Sequence, residues 1–204
     1  MQTIQDETQI HTQSQASKKT RVLMVCLGNI CRSPTAHGVF QHILERDGLT
    51  HLIAVDSAGT ASYHQGNAPD GRSIEAALKR GYDLSSQRAR QVCEQDLVDF
   101  DYILAMDEQN LDNLLALQKS QASTSTAEPG VAKIQLFLDY ASSAYKEVPD
   151  PYYSGEGGFE LVLDLVEVAA EGLLKHIIKH SQASVPPLNP DGQVAKGRQQ
   201  SRHE

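Results

Sequence analysis

The chain has 204 residues, enough for one ordinary domain with tails and too few for more than two very small ones. Hydrophobic residues supply 40% of it and one substantial core, but aromatics only 5% with no Trp, which argues against an aromatic-filled sandwich or barrel. A net charge of −8 speaks against non-specific attraction to nucleic acid or an anionic membrane, and three cysteines do not make a disulfide scaffold.

Residues 1–19 are rich in Gln, Thr and Ser, lack periodicity and read as a disordered arm without the apolar stretch of a secretory signal. The domain, residues 20–180, opens with Arg21-Val-Leu-Met-Val-Cys26, a continuous apolar run that suits a strand buried on both faces. Ser33-Pro34 offers a capping residue followed by Pro at the first helical position, and a helix to about Asp47 is predicted. Residues 52–57 read as a second buried strand, and residues 72–80 as a helix closed by Gly81. Residues 102–106 form a third strand, followed by a helix over 108–118. The Ser-, Thr- and Gln-rich stretch 119–130 reads as a flexible loop, and a short fourth strand is placed near 132–136. Gly155-Glu-Gly-Gly158 lacks the Lys-Ser/Thr of a nucleotide loop and reads as a flexible lead-in to the last helix. That helix sets Phe159, Val162, Leu163, Val166, Ala170, Leu173, Leu174 and Ile177 on one face, with Glu160, Asp164, Glu167, Glu171 and Lys175 opposite. Residues 181–204, with Pro, Gly and polar side chains, read as a second disordered tail. Strands alternating with helices imply a parallel, helix-covered α/β sheet whose ligands bind beyond the carboxyl ends of strands. No run approaches the ~20 apolar residues of a membrane span, so a soluble, reducing, cytoplasmic setting is expected.

Chemistry concentrates at the end of the first strand. Cys26-Leu-Gly-Asn-Ile-Cys-Arg32-Ser33 links a strand to a helix N-terminus, where backbone N–H groups turn inward around a tetrahedral oxyanion. Gly28 permits a positive φ, and Asn29 is among the few other residues that tolerate one. Arg32 offers a planar two-pronged donor to phosphate oxygens. Cations and helix N-termini favour the thiolate, the attacking form of a cysteine such as Cys26, and the Ser33 hydroxyl can donate to it. A poor leaving group still needs a proton. Asp150, in Val148-Pro-Asp-Pro-Tyr-Tyr153, is a carboxyl displayed between two restraining prolines and beside two aromatics, which suits an aryl phosphate.

The phosphate loop Cys26-Leu-Gly-Asn-Ile-Cys-Arg-Ser-Pro34 and the later Asp150-Pro-Tyr-Tyr153 together resemble the two signatures of the low-molecular-weight protein tyrosine phosphatases. Segments 55–60, Pro69-Asp70, 88–91 and 100–107 fall between them in the family's order, so the resemblance covers roughly 20–180. It implies a single α/β domain with a four-stranded parallel twisted sheet, helices on both faces and the phosphate-binding loop after the first strand. It implies Cys26 as nucleophile, Arg32 as phosphate clamp and Asp150 as general acid, then base, in a mechanism without metal or cofactor. Leu27, Gly28, Asn29, Ile30, Cys31 and Ser33 would line or support the phosphate site, with Tyr63, Tyr152 and Tyr153 as ring-pocket walls and Ser57 as a further support. Two positions depart from the family pattern: Gln87 stands where a supporting His is common, and Tyr63 where animal members often have Trp. Cys31 would form a reversible disulfide with Cys26, shielding it from irreversible oxidation. Cys93 reads as plain packing, and His37 and His42 as surface residues that do not share a helix face. Partners would be phosphotyrosine-containing proteins, a tyrosine kinase among them, approached by a monomer or weak homo-oligomer, with no nucleic acid or membrane.

Three rivals stand beside this reading. A thioredoxin-coupled arsenate reductase shares the scaffold but needs two further cysteines, and beyond residue 81 there is only Cys93. A protein-arginine phosphatase would resemble this chain more closely with Thr in place of Ile30 and one aromatic after Asp-Pro. A non-catalytic phosphotyrosine-binding module would not require nucleophile, clamp and acid together.

Overall fold

The first strand, β1 (Thr20–Cys26), is the centre of the molecule: Val22, Leu23, Met24 and Val25 have no accessible surface. The computed structural model describes residues 18–124, 132–152, 154 and 156–183. The rest of the expected arm, loop and tail, and Tyr153, lie outside those residues.

Chain order continues with α1 (Arg32–Arg46), β2 (Ile53–Gly59), α2 (Gly71–Lys79), the single turn α3 (Asp96–Asp99), β3 (Tyr102–Ala105), α4 (Glu108–Thr124), β4 (Lys133–Leu136), a 3-10 turn (Phe137–Tyr140) and α5 (Glu156–Ala183). The four strands form one parallel sheet in the order β2-β1-β3-β4, with Cys26 opposite Gly59. From β1 the chain moves first to one side and then to the other. Such a switch leaves a crevice outside the carboxyl end of the central strand, where ligands bind. Cys26 ends that strand.

Alternation along β1 divides the core in two. Val22 and Met24 pack with α1, α2 and α5, whereas Leu23 and Val25 pack with Leu97 of α3 and Leu114 of α4. Helices therefore cover both faces. Residues 36, 39, 40, 43 and 44 of α1 are buried at helical spacing, as are 159, 162, 163, 166, 170, 173, 174 and 177 of α5. The acidic side of α5 is not simply solvated. Glu160, Asp164 and Glu167 converge on Arg80 at 2.6, 2.8 and 3.2 Å, and Glu171 meets Arg46 at 2.9 Å. These contacts fasten the ends of α2 and α1 to the long helix.

Several boundaries differ from the sequence reading. Residues 119–124, expected in a loop, continue α4, and Gln121 donates to the Glu94 carbonyl at 3.0 Å. The expected tail starts later, because residues 181–183 still belong to α5. Ser33 does not cap α1: Cys31 stands at that position, and Pro34 is the third helical residue, where a missing N–H still costs no intrahelical bond. Cys93 is exposed rather than packed, and its N–H donates to Asp96 at 2.8 Å. No helix among the described residues is long and apolar enough to cross a membrane.

Candidate active site

The loop leaves β1 at Cys26 and enters α1 at Arg32 after five residues. Asn29 alone takes the left-handed conformation, at φ 55°. Of the two residues the sequence reading offered for that role, Asn29 takes it, whereas Gly28 keeps an ordinary φ and serves a close approach instead. A Cβ there would lie 3.0 Å from the His64 ring. Asn29 holds its strained backbone because its amide is fixed on every side. Nδ2 donates to Ser33 and Ser57 at 2.9 Å each, and Oδ1 accepts from the Arg90 N–H at 2.9 Å. Arg90 is itself gripped by Asp56 and Asp96. Ser33 stands 3.1 Å from Cys26 Sγ, and the Asn29 N–H donates to the same sulfur at 3.2 Å. By contrast, the backbone N–H groups of Leu27, Gly28, Ile30, Cys31 and Arg32 have no acceptor among the described residues. A run of amides left open at a helix start is an anion receptor.

Arg32 is buried, 5% exposed, yet charged. Its Nη1 donates to Asp107 at 2.6 Å and to the Val148 carbonyl at 3.2 Å, while Nη2 lies 3.7 Å from Asp150. Burial opposes its charge, but Cys26, Asp107 and Asp150 around it raise its pKa above the ordinary guanidinium value. Asp107 was not singled out from sequence, although it is the main anchor of Arg32.

Asp150 lies on an exposed loop. Its Oδ1 accepts from the Tyr152 N–H at 3.0 Å, and its carbonyl from the Ser154 hydroxyl at 3.2 Å. The loop rests on the first turn of α5. There Gly158, read from sequence as flexible, is helical and tightly packed: a Cβ would come 2.6 Å from Ser154 and 3.3 Å from Pro151.

Between the two loops lies a cavity of about 270 Å³ lined by Cys26, Leu27, Gly28, Ile30, Cys31, Arg32, Tyr63, His64, Asp150 and Tyr152. Within the phosphate loop, Asn29 and Ser33 turn their side chains towards one another and, with Ser57 of β2, stay outside this lining. His64 is an unanticipated wall residue, adjacent to the predicted Tyr63. Burial pushes the Cys31 thiol up to about 12, reinforced by Asp70, Cys26 and Asp150, so it stays protonated. Gln87 supports the start of α1 rather than the loop, since Nε2 donates to the Pro34 carbonyl at 3.0 Å. The imidazole near Ser57 is His37, half-buried, with Nδ1 3.5 Å from Ser57 Oγ, not the surface residue expected. Burial holds its pKa below the ordinary value of 6.5, against an upward pull from Asp56.

A parallel α/β sheet with an amide-lined anion loop at its switch point, a thiol at the loop's base and an arginine at its end defines a cysteine-based phosphate-handling protein. Residues 21–183 match the family model described as low molecular weight phosphotyrosine protein phosphatase, and the chain belongs to that family. The Bacillus subtilis low molecular weight protein-tyrosine-phosphatase YfkJ is 43% identical over 162 residues, 79% of this chain and 97% of the relative. The protein tyrosine phosphatase of Entamoeba histolytica superposes with a TM-score of 0.72 at 38% identity, over 80% of this chain and 99% of that one. A Drosophila arginine phosphatase superposes with a TM-score of 0.68 at 34% identity, over 76% and 96%.

Proposed function

We propose that this chain, a protein-tyrosine phosphatase by its family, hydrolyses phosphotyrosine through a cysteinyl-phosphate formed on Cys26. The supporting observation is the run of open loop amides around Cys26, closed on one side by Arg32 and faced by Asp150. The Cys26 thiolate attacks phosphorus in line with the phenolic oxygen. Charge on the equatorial oxygens is taken by the loop amides and by the free edge of Arg32, whose Nη1 is held in place by Asp107. As the P–O bond breaks, the electron pair leaves with the phenolic oxygen, which takes the Asp150 proton. The resulting carboxylate then removes a proton from water as it attacks the phospho-cysteine. The sulfur departs as a thiolate that Ser33 stabilises by hydrogen bonding. Leu27, Ile30, Tyr63, His64 and Tyr152 flank the aryl ring.

The same reading needs no metal or cofactor. It takes phosphotyrosine proteins, a tyrosine kinase among them, as substrates in a reducing cytoplasmic setting, and treats a Cys26–Cys31 disulfide as a protective state. Cys31 must shed its proton to form that bond, which its buried position resists. Because an arginine phosphatase shares the fold, substrate class rests on the pocket: Ile30 and Tyr152 present apolar and aromatic surface where a phenol ring would lie.

Purified protein is expected to hydrolyse para-nitrophenyl phosphate in the presence of a chelator, with inhibition by vanadate. Cys26→Ser is expected to abolish turnover; full activity of that variant overturns the mechanism. Matched peptides carrying phosphotyrosine or phosphoserine, and a phosphoarginine peptide, are then compared. Preference for phosphoarginine overturns the substrate assignment but leaves the chemistry intact.

A further inference from the structure

Asp150 is an exposed part of the site, and one side chain outside the cavity lining ties its loop to the nucleophile's loop. Asp70 and Arg72 open α2. The Asp70 N–H donates to the Ile30 carbonyl of the phosphate loop at 2.7 Å, which fixes this end of α2 to the anion receptor. The Asp70 carboxylate caps the helix and grips Arg72 through Nε at 3.0 Å and Nη2 at 2.8 Å. The same guanidinium reaches the other loop. Its Nη1 donates to the Tyr152 carbonyl at 3.0 Å, and its carbon lies 4.9 Å from the Tyr152 ring centroid and 4.8 Å from that of Phe159. Phe159 is buried in the first turn of α5 and is a fixed post. Tyr152, in turn, donates its N–H to the Asp150 carboxylate.

We propose that Arg72 is a positioning residue for the Asp150 proton donor: it braces the acid loop against α2 and α5, and thereby against the phosphate loop. The planar guanidinium suits this task, because one edge holds Asp70, the remaining nitrogen reaches the Tyr152 carbonyl, and the face meets aromatic rings. Lysine has one point charge and cannot do all three. The proposal rests on the reading of Asp150 as general acid.

A brace for the acid has a signature that a general structural role lacks. Its loss should slow P–O cleavage where the leaving oxygen needs a proton and spare it where the oxygen does not. Values of kcat/KM, which report transfer to Cys26, are measured for aryl phosphates from phenyl to 2,4-dinitrophenyl with wild type, Arg72→Met, Arg72→Lys and Asp150→Ala. For Arg72→Met we expect roughly 10-fold loss with phenyl phosphate and under about 2-fold with 2,4-dinitrophenyl phosphate, since a small misplacement of a catalytic group is costly only where that group acts. Arg72→Lys should fall between, and vanadate inhibition should be unchanged in both. Activity on the dinitrophenyl ester is the internal control for folding. Equal loss on every ester in both Arg72 variants overturns the brace, as does no loss on phenyl phosphate. If Asp150→Ala itself shows no dependence on leaving group, the general-acid reading fails instead.

Discussion

The two loops that close on the cavity are built on opposite plans. The phosphate loop is short, buried and cross-linked: Asn29 makes three side-chain hydrogen bonds, Ser33 is fully buried, and Arg90 ties the loop to β2 and α3. The acid loop is exposed, with the Asp150 side chain 49% accessible, and is held from outside by Pro151 on Gly158 and Tyr152 under Arg72. The difference follows the proposed chemistry. Five amides must converge on one phosphate and cost no reorganisation when charge develops. A proton donor acts on a leaving group that must enter and depart, so access competes with rigidity.

That contrast is broken or sharpened by variants on each side, because phosphate-loop defects should slow all substrates alike and acid-loop defects only the demanding ones. The largest effect is expected for Asp150→Ala, a loss of about 10²–10⁴-fold in kcat/KM on phenyl phosphate that shrinks as the leaving group improves. A loss independent of leaving group would mean that Asp150 merely holds Arg32. Next, Asp107→Asn removes the charged anchor of Arg32 and should cost about 10²-fold on every aryl ester. A graded loss there would place Asp107 in proton transfer. Gly158→Ala forces Ser154 and Pro151 to move and should cost about 1–3 kcal/mol in urea unfolding, with a graded kinetic defect like that of the acid loop. Unchanged stability would show that the α5 start gives way easily.

The smallest effect concerns pH. His37 titrates below 6.5 in the folded chain and near that value when unfolded, so below about pH 6.5 the unfolded state takes up the extra proton. Stability contributed by the neutral ring is therefore complete at higher pH and declines as pH falls through that window. His37→Asn should flatten the decline in urea midpoint between about pH 7.5 and pH 5.5. An unaltered slope removes His37 from the acid sensitivity.

What could be read from sequence was what the chain keeps local. Strand β1, the anion loop and the start of α1 are contiguous, so apolar run, spacing and position spoke together. Prolines on both sides marked Asp150 as a displayed residue, and it does lie exposed at the edge of the cavity. Asp107 was hidden because its partner Arg32 lies 75 residues away and because it also does an ordinary job, accepting the Asn110 N–H at 2.7 Å at the start of α4. His37 was misjudged since helix-face arithmetic takes no account of β2 and Ser57 packed against that face. Gly158 looked flexible, whereas its missing side chain makes room for Pro151. Polar composition at 119–124 suggested a loop, but Leu111, Leu114 and Leu117 pack the helix against the core, and it runs on for two more turns.

If Asp150 is the acid proposed above, Val148 carries a consequence for the kinetics of proton delivery. Its N–H donates to the Met106 carbonyl at 2.8 Å and its carbonyl accepts from Arg32, so it is pinned both to the end of β3 and to the phosphate clamp. Asp150 hangs two residues beyond that pin, a tether of no more than about 7.6 Å between Cα atoms. A carboxyl on so short a leash samples a small volume around the scissile oxygen, which is the condition for a high effective molarity. With Asp150 as the proposed acid, the pin at Val148 keeps its proton concentrated at the leaving group while its side chain stays open to solvent.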